Sequence, residues 1–223
     1  TSYDDLQTED SASTALKKQN GTYSELTGNY GFTFDQRDKA FMPTSGSILS
    51  FGQSIPIVAD KAFITNTISS SFYKSLSENI IGSAKIYLAS INGLGGDDVR
   101  ISKRRGISSS RLRGFEKNKV GPVDGSDHVG GNYVASLNFE TNLPNVLPEN
   151  SNADVGLFLD FGNVWGVDYD SSIDESNKIR SSTGITVNWL SPIGPLNFVM
   201  SQNLSKADTD VTESFTFNLG TTI

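Results

Sequence analysis

Apolar and polar residues alternate with a period of two along most of this chain, in nine successive segments separated by turn-forming residues. In one of them, Leu157, Leu159 and Phe161 are separated by single residues, one of which is Asp160. Such alternation is typical of β-strands, because successive side chains of a strand point to opposite faces of the sheet. The strands are predicted near residues 28–36, 47–57, 62–76, 79–92, 131–143, 153–165, 178–190, 195–203 and 213–222.

The connections between these segments favour an antiparallel meander in an all-β fold. None contains the helix that normally links parallel strands. The connection at 191–195 (SPIGP) is a tight turn with two prolines and a glycine. Residues 1–27 are predicted to form a surface loop and strand lead-in, with a short helix near 13–19 capped by Ser13. The connection over 93–130 is unusually long, and loops of such length are normally functional or disordered.

Two architectures fit this alternation, a soluble β-sandwich and a transmembrane β-barrel. Only 36% of the chain is hydrophobic, and no apolar run reaches the roughly 18 residues of a membrane helix, so a helical membrane protein is excluded. A barrel remains possible because its strands alternate lipid-facing and lumen-facing residues. Aromatic residues near strand ends, including Tyr30, Tyr133, Trp165 and Trp189, resemble the girdles at membrane interfaces. The alternation alone does not choose between the two architectures.

If the sheet is a barrel wall, parity predicts which side chains face lipid. Leu137, Leu157, Val187 and Phe217 should face outward. The residues of opposite parity should face the lumen, among them Asn138, Asp160 and Asn188.

The charged and polar residues predict no enzyme, no cofactor and no metal site. The formal net charge of −7 argues against nucleic-acid binding, which needs a basic face. The chain has no Cys, and its one histidine, His128, adjoins Asp127 and Ser126. Sequence neighbours do not form a catalytic triad, since its members must converge in space. The acidic residues at 97–98 and 168–175 could bind calcium but lack an EF-hand pattern, so they are predicted to be solvated loop acids.

A basic cluster in the long loop has three interpretations. Its members are Arg100, Lys103, Arg104, Arg105, Arg111 and Arg113. Nucleic acid is disfavoured by the overall charge, whereas anionic lipopolysaccharide is a suitable partner for an extracellular loop. The third interpretation concerns Arg113 alone and depends on a family resemblance.

The stretch 106–115 (GISSSRLRGF), followed by Gly121 and Pro122, resembles the Arg-Gly-Phe loop of the bacterial surface antigen family. Within that family it is most similar to the outer-membrane proteins that assemble other barrels. Further motifs match in the family's order: 35–38 (DQRD) with Pro43 and Gly46, 130–132 (GGN), 158–162 (FLDFG), 189–196 (WLSPIGPL) and 215–220 (FTFNLG).

The resemblance implies a barrel of sixteen strands preceded by periplasmic domains. The nine predicted strands would be the last nine, so we expect residues 1–223 to be the C-terminal portion of a larger barrel. Physical chemistry agrees with this expectation. Bacterial single-chain barrels have an even number of strands, and an open sheet in lipid would expose unpaired backbone groups.

The resemblance also implies that the long loop folds into the lumen, where Arg113 meets an acid on the wall. A guanidinium can bind a carboxylate through two parallel hydrogen bonds, which suits it to fixing a long loop. Asp160 is the expected acid because it has lumenal parity and stands in the matching motif. Phe115 is expected to contact the wall, with Phe158 as its partner. The loop lock expected from the resemblance comprises Arg113, Gly114, Phe115, Phe158, Asp160 and Gly162.

The function implied by the resemblance is insertion of β-barrel proteins into the outer membrane of a Gram-negative bacterium. A seam between the first and last strands would open sideways and pair with a client strand. Phe215, Phe217 and Gly220 are the expected seam residues, since glycine weakens a strand. The expected partners are unfolded outer-membrane clients, accessory assembly lipoproteins, outer-membrane lipid and lipopolysaccharide. A translocation pore or a passive porin is the alternative.

Overall fold

Antiparallel strands joined in sequence order dominate the computed structural model, which describes residues 1–40, 42–144, 146–148, 151–192 and 194–219. They form a ten-stranded sheet in which each strand pairs with the strands before and after it, while two further short strands, β6 (Val123–Asp124) and β7 (Asp127–His128), form a separate ribbon. Its strands are β1 (Ser2–Leu6), β2 (Gly21–Asp35), β3 (Gly46–Ala59), β4 (Phe63–Ser77), β5 (Ile80–Gly93), β8 (Tyr133–Leu143), β9 (Ala153–Trp165), β10 (Arg180–Ser191), β11 (Gly194–Ser205) and β12 (Phe215–Leu219). The all-β antiparallel meander predicted from the sequence is confirmed.

Helix is scarce in the described residues. Helix α1 (Thr14–Lys17) follows Ser13, whose hydroxyl accepts a hydrogen bond from the Leu16 amide at 3.2 Å. Two 3₁₀ turns span Ile101–Lys103 and Ser171–Ile173. No helix in the described part of the chain is long and apolar enough to cross a membrane.

The described sheet has one strand more than the nine predicted, and the surface loop predicted over 1–27 is in part a β-ribbon. Strand β1 pairs with residues 21–25 of β2, and β2 begins seven residues before the predicted position 28. The sequence of β1 (SYDDL) has no clear alternation of apolar residues. Tertiary ion pairs support the ribbon instead: Asp4 and Glu25 bind Arg100, and Glu25 also binds Lys103.

The ends of the sheet differ from the prediction as well. The last strand, β12, begins at Phe215, two residues after the predicted start, and residues 213 and 214 belong to the preceding loop; the predicted residues 220–222 lie outside the described residues. The predicted seam residue Gly220 lies outside the described residues. A two-stranded ribbon within the long loop, β6 (Val123–Asp124) and β7 (Asp127–His128), was not predicted, since two-residue strands have no recognisable period.

Side-chain exposure follows the predicted parity. Leu157 is 49% exposed and its cross-strand neighbour Ile185 is 45% exposed, so the apolar face is open. Asn138 and Asp160, on the other face, are buried beneath the long loop. A sheet with its apolar side exposed and its polar side covered is inverted relative to a soluble sandwich, and this arrangement is that of a barrel wall.

The three longest connections, 7–20, 94–132 and 166–179, lie at one end of the sheet. The connections 60–62 and 206–214 lie at the same end, and none at the opposite end exceeds ten residues. We call 94–132 the inward loop and 206–214 the last loop. In outer-membrane barrels the long loops are extracellular and the short turns periplasmic, so the family resemblance predicts that this end of the sheet is the extracellular one.

The ten-residue connection between β2 and β3 shows why the DQRD motif contains an acid at position 38. The carboxylate of Asp38 accepts hydrogen bonds from the Thr44 amide at 2.9 Å, the Thr44 hydroxyl at 2.6 Å and the Ser45 amide at 3.2 Å. Gly46 has a φ of +95°, and a Cβ there would lie 2.1 Å from the Gln36 carbonyl oxygen. The turn therefore requires both an acid and a glycine.

Candidate functional site

The inward loop packs on the polar face of the sheet through an apolar patch near its extracellular end. Ala89, Val134 and Val164 are aligned in adjacent strands and form this patch. Loop side chains that are almost fully buried cover it: Ile107, Leu112, Phe115 and Val120. Burial of these side chains stabilises the loop against the wall by the hydrophobic effect.

Gly162 explains why the loop can approach the wall so closely. Gly162 lies two residues before Val164 of the apolar patch and on the same face of β9. A Cβ at this position would meet Ile107 Cδ1 at 2.9 Å and Leu112 Cδ1 at 3.3 Å. A larger residue would push the loop away from the sheet. The structure thus gives Gly162 a steric role in loop packing.

Arg113 projects from the loop tip to the Asp160 row of the wall. Its Nε donates to Asp160 Oδ2 at 2.7 Å, its Nη2 donates to Asp160 Oδ1 at 2.7 Å, and its backbone amide donates to Oδ2 at 3.1 Å. The third guanidinium nitrogen, Nη1, donates to Glu140 Oε2 at 2.8 Å. The structure therefore brings the expected pair together and adds Glu140 as a second acid.

The Phe158 ring contacts the guanidinium of Arg113, whereas it was expected to contact the Phe115 ring. The guanidinium carbon lies 3.8 Å from the centroid of the Phe158 ring, a cation–π distance. Phe115 is 1% exposed and packs in the apolar cluster higher on the wall. The Phe158 ring fits because its strand partner is Gly184, where a Cβ would meet the ring at 2.9 Å.

Gly114 turns the chain at the tip in the left-handed region, with a φ of +89°. A Cβ there would lie 3.1 Å from Asn203 Nδ2 and 3.2 Å from Ser201 Oγ. Its carbonyl oxygen accepts hydrogen bonds from Asn203 Nδ2 at 2.8 Å and from the Glu213 amide at 3.1 Å. The Arg113 carbonyl accepts one from the Ser182 hydroxyl. The tip is therefore bound to β10, β11 and the last loop as well as to β9.

The charge of Arg113 is retained despite its burial. Burial by itself would lower the pKa of the guanidinium, but the hydrogen bonds and charges of Asp160 and Glu140 outweigh it and raise that pKa. A buried cation held by two carboxylates and an aromatic face is fully compensated. The site can hold a loop in place, and it has the composition of a structural clasp.

A second buried arginine was missed in the sequence. Arg180 Nε donates to Asp210 Oδ2 at 2.9 Å, Nη1 donates to Asn163 Oδ1 at 2.7 Å, and Nη2 donates to Glu175 Oε2 at 2.9 Å. Asp210 belongs to the last loop, 30 residues away along the chain. No spacing in the sequence indicates such a pair; the burial of Arg180 in the structure reveals it.

Four more members of the basic cluster make contacts within the protein. Arg100 and Lys103 pair with acids of the β1–β2 ribbon, as noted above. Arg104 lies 4.9 Å from the centroid of Tyr169, and Arg111 lies 3.6 Å from that of Tyr87. These contacts favour a structural role over the binding of nucleic acid or lipopolysaccharide considered from the sequence.

The other candidate residues are dispersed. His128 Nε2 lies 3.0 Å from the Thr209 carbonyl oxygen in the last loop. Asp97 pairs with Lys61, and Asp168 accepts from the Val99 amide. Among the described residues, no group of three or more acidic or histidine side chains is arranged to hold a metal ion.

Comparison with known proteins gives the family. The model of the Omp85 superfamily domain matches residues 1–223. The chain belongs to the Omp85 superfamily. The family resemblance seen in the sequence is therefore confirmed, and this Omp85 chain is an outer-membrane protein of a Gram-negative bacterium.

Three curated relatives carry the name outer membrane protein assembly factor BamA. That of Neorickettsia risticii is 25% identical over 95% of this chain, that of Nitratidesulfovibrio vulgaris 28% over 85%, and that of Neisseria meningitidis serogroup B 26% over 87%. The matches cover 29%, 24% and 28% of those proteins, so this Omp85 chain spans less than a third of their length.

A solved structure supports the fold. The crystal structure of BamA from Haemophilus ducreyi lacking POTRA domains 1–3 superposes with a TM-score of 0.82 at 22% identity. The match covers 91% of this chain and 45% of that one. The sheet described here is accordingly an arc of a larger barrel wall.

Proposed function

We propose that this chain is the C-terminal part of an outer-membrane assembly factor, which inserts β-barrel proteins into the membrane through a lateral seam. The observation that carries the proposal is the match over most of the chain to three proteins named for that activity. The role is mechanical, with no covalent chemistry and no cofactor.

The loop lock around Arg113, which we also call the Arg113 clasp, fits this role. It fixes a long extracellular loop against β9 and, through Gly114, against the last loop before β12. Strand β12 is the last described strand and pairs on one side only, with β11. We propose that Phe215 and Phe217 line the seam, and that the clasp sets the position of the inward loop while a client strand pairs at the seam.

The partners proposed are unfolded barrel clients, accessory assembly lipoproteins and the surrounding lipid. Clients need an unpaired strand edge, because backbone groups cannot stay unpaired in the hydrocarbon region. The exposed apolar face of the sheet, including Phe215, Phe217 and Leu219, suits contact with lipid acyl chains. Lipopolysaccharide would meet the extracellular end, and lipoproteins would bind parts of the protein outside this chain.

Depletion of the full-length protein tests the proposal. The levels of several unrelated barrels in the outer membrane should fall together. Export of a protein through a separate secretion pore should fall only to the extent that the pore itself, being a barrel, is no longer assembled. Re-expression of the intact gene should restore them. A translocation pore would instead leave the unrelated barrels in place and abolish export of its own substrate, which would contradict the assembly function.

A further inference from the structure

The last loop takes a path that its sequence does not require. Residues 215–219 of β12 pair with residues 196–200 of β11, and the Ser201 amide donates to the Ser214 carbonyl oxygen at 2.9 Å. Beyond this point the two segments separate. Residues 202–205 of β11 pair with β10 only, and no described residue of the last loop is paired with them as a strand.

The inward loop binds the backbone of the last loop instead. The Glu116 amide donates to the Val211 carbonyl oxygen at 3.0 Å, the Val211 amide donates to the Lys119 carbonyl oxygen at 3.1 Å, and the Glu213 amide donates to that of Gly114. Phe115 and Thr212 form an antiparallel bridge. Residues 211–213 thus form an additional short β-pairing with the loop tip, on the lumenal side.

The sequence is also suited to the pairing that the structure does not form. Continuing the register of Met200 with Phe215 would place Leu204 opposite Val211 and Asn203 opposite Thr212. Leu204 and Val211 would then both face outward, beyond the polar pair of Gln202 and Glu213, and they are 57% and 39% exposed. Residues 206–209 would remain as a four-residue hairpin loop, a favoured length. A bulge against β10 accommodates the extra residue Leu204 of β11.

Arg180 and Asp210 hold the last loop in its observed place. Besides its bonds to Arg180, Asp210 accepts a hydrogen bond from the Ala207 amide at 2.6 Å, so it fixes the start of the loop. Its side chain has no solvent exposure and that of Arg180 has 1%. Glu175 and Asn163 would continue to bind Arg180 if Asp210 were released. The last loop can therefore leave without stranding a buried cation.

We propose that residues 210–214 are a strand segment with two alternative partners, the tip of the inward loop and the free edge of β11. Asp210, held by Arg180, is the positioning residue that selects the first. Pairing with β11 would lengthen β12 and stiffen the last hairpin, whereas pairing with the inward loop leaves the extracellular half of that hairpin open. Only the consequence for a seam rests on the proposed function; the alternative pairing itself does not.

Disulfide trapping in the full-length protein in outer membranes tests the proposal. The chain itself contains no Cys, so the introduced residues are its only thiols. Leu204→Cys with Val211→Cys reports the alternative pairing, because the two residues would form a non-hydrogen-bonded pair with Cα atoms about 4.5 Å apart, close enough for a disulfide. Met200→Cys with Phe215→Cys is the matched pair, since it is aligned in both arrangements.

Asp210→Asn should raise the rate of the Leu204–Val211 cross-link several-fold and leave the Met200–Phe215 cross-link unchanged. Asp208→Asn, an exposed charge change in the same loop, should change neither. An unchanged Leu204–Val211 rate, the absence of that cross-link in every background, or an equal rise at both pairs would overturn the proposal. Because the readout needs no client, its failure is distinct from failure of the assembly function in the depletion experiment.

Discussion

The guanidinium of Arg113 forms two parallel hydrogen bonds of 2.7 Å with the carboxylate of Asp160, which lies 47 residues further along the chain and has no solvent exposure. Glu140 binds the remaining nitrogen and Phe158 covers the planar face. A loop of nearly forty residues is in this way fixed to one point of the wall. The geometry makes the pair testable, because the buried carboxylate of Asp160 depends on Arg113 for compensation of its charge, while Arg113 has Glu140 as a second acid.

The first prediction concerns this pair. Arg113→Ala should destabilise the folded loop by about 3–5 kcal/mol, since it leaves the buried Asp160 carboxylate uncompensated, whereas Asp160→Ala should cost less because Glu140 still binds the guanidinium. The double variant should be little worse than Arg113→Ala alone, because the stranded Asp160 carboxylate is then removed. Protease sensitivity of the loop, thermal unfolding of the full-length protein and client insertion are the measurements.

The pair of Arg37 and Asp35 provides the control for the first prediction. It has the same fork geometry, with Arg37 Nη2 2.8 Å from Asp35 Oδ2, but it lies at an exposed strand end. Arg37→Ala should have a far smaller effect, since water compensates the remaining carboxylate. Additive losses for Arg113→Ala and Asp160→Ala would show that the two residues act independently.

The second prediction concerns the tip glycine. Gly114→Ala should destabilise the loop by about 1–2 kcal/mol from its left-handed backbone alone, with an added cost from crowding against Asn203 and Ser201. Gly95→Ala isolates the backbone effect, because Gly95 has a φ of +69° and nothing within 4 Å of the added Cβ. Limited proteolysis and thermal unfolding should rank Gly114→Ala as clearly worse; equal losses would mean that the close approach at the tip is unimportant.

The third prediction tests the facing of the wall. Leu157→Arg should cost about 2–4 kcal/mol, because it places a cation against lipid near the middle of a strand. Ser50→Arg is the lumenal comparison, since Ser50 lies on the polar face with its hydroxyl 3.1 Å from that of Thr33 and should tolerate a charge. Asn138 is unsuitable for this purpose although its parity is lumenal, because its side chain donates to the Arg111 carbonyl oxygen beneath the inward loop. Equal costs for Leu157→Arg and Ser50→Arg in refolding into lipid vesicles would refute the assigned facing.

The fourth prediction concerns pH and the turn after β2. The hydrogen bond from the Thr44 hydroxyl, with those from two backbone amides, lowers the pKa of Asp38 to about 2 from an ordinary 3.8. Since the folded-state pKa is the lower one, the stabilisation is complete above pH 3.8 and is lost as the pH falls through 2. Thr44→Val should move the pKa of Asp38 back toward 3.8, measured by titration of the carboxyl resonance. A pKa that stays near 2 would assign the effect to the two amides and the charge of Lys39.

The sequence by itself determined nine of the ten strands described in the sheet, their order and the facing of their residues. Alternation is a local property, so Leu157 and Asp160 could be assigned to opposite faces without knowledge of any partner. The sequence also showed the long loop with its Arg-Gly-Phe tip, which is a feature of length and composition. It showed the inward-facing Asp160 as well, because the facing of a strand residue follows from parity. Strand β1 was not visible, since ion pairs with the inward loop stabilise it in place of an alternating pattern.

Only the tertiary structure decided which residues meet across the lumen. Glu140 has the parity of many other polar residues, and the register of β8 with β9 alone places it beside Phe158 and Arg113. Arg180 and Asp210 carry no local signal, because their pairing depends on how the last loop folds over the start of β10. The path of residues 210–214 was likewise decided only by the tertiary structure, because their sequence suits pairing with β11 as well as with the inward loop. The long-range contacts of Asp210 and Gly114 select between these two partners.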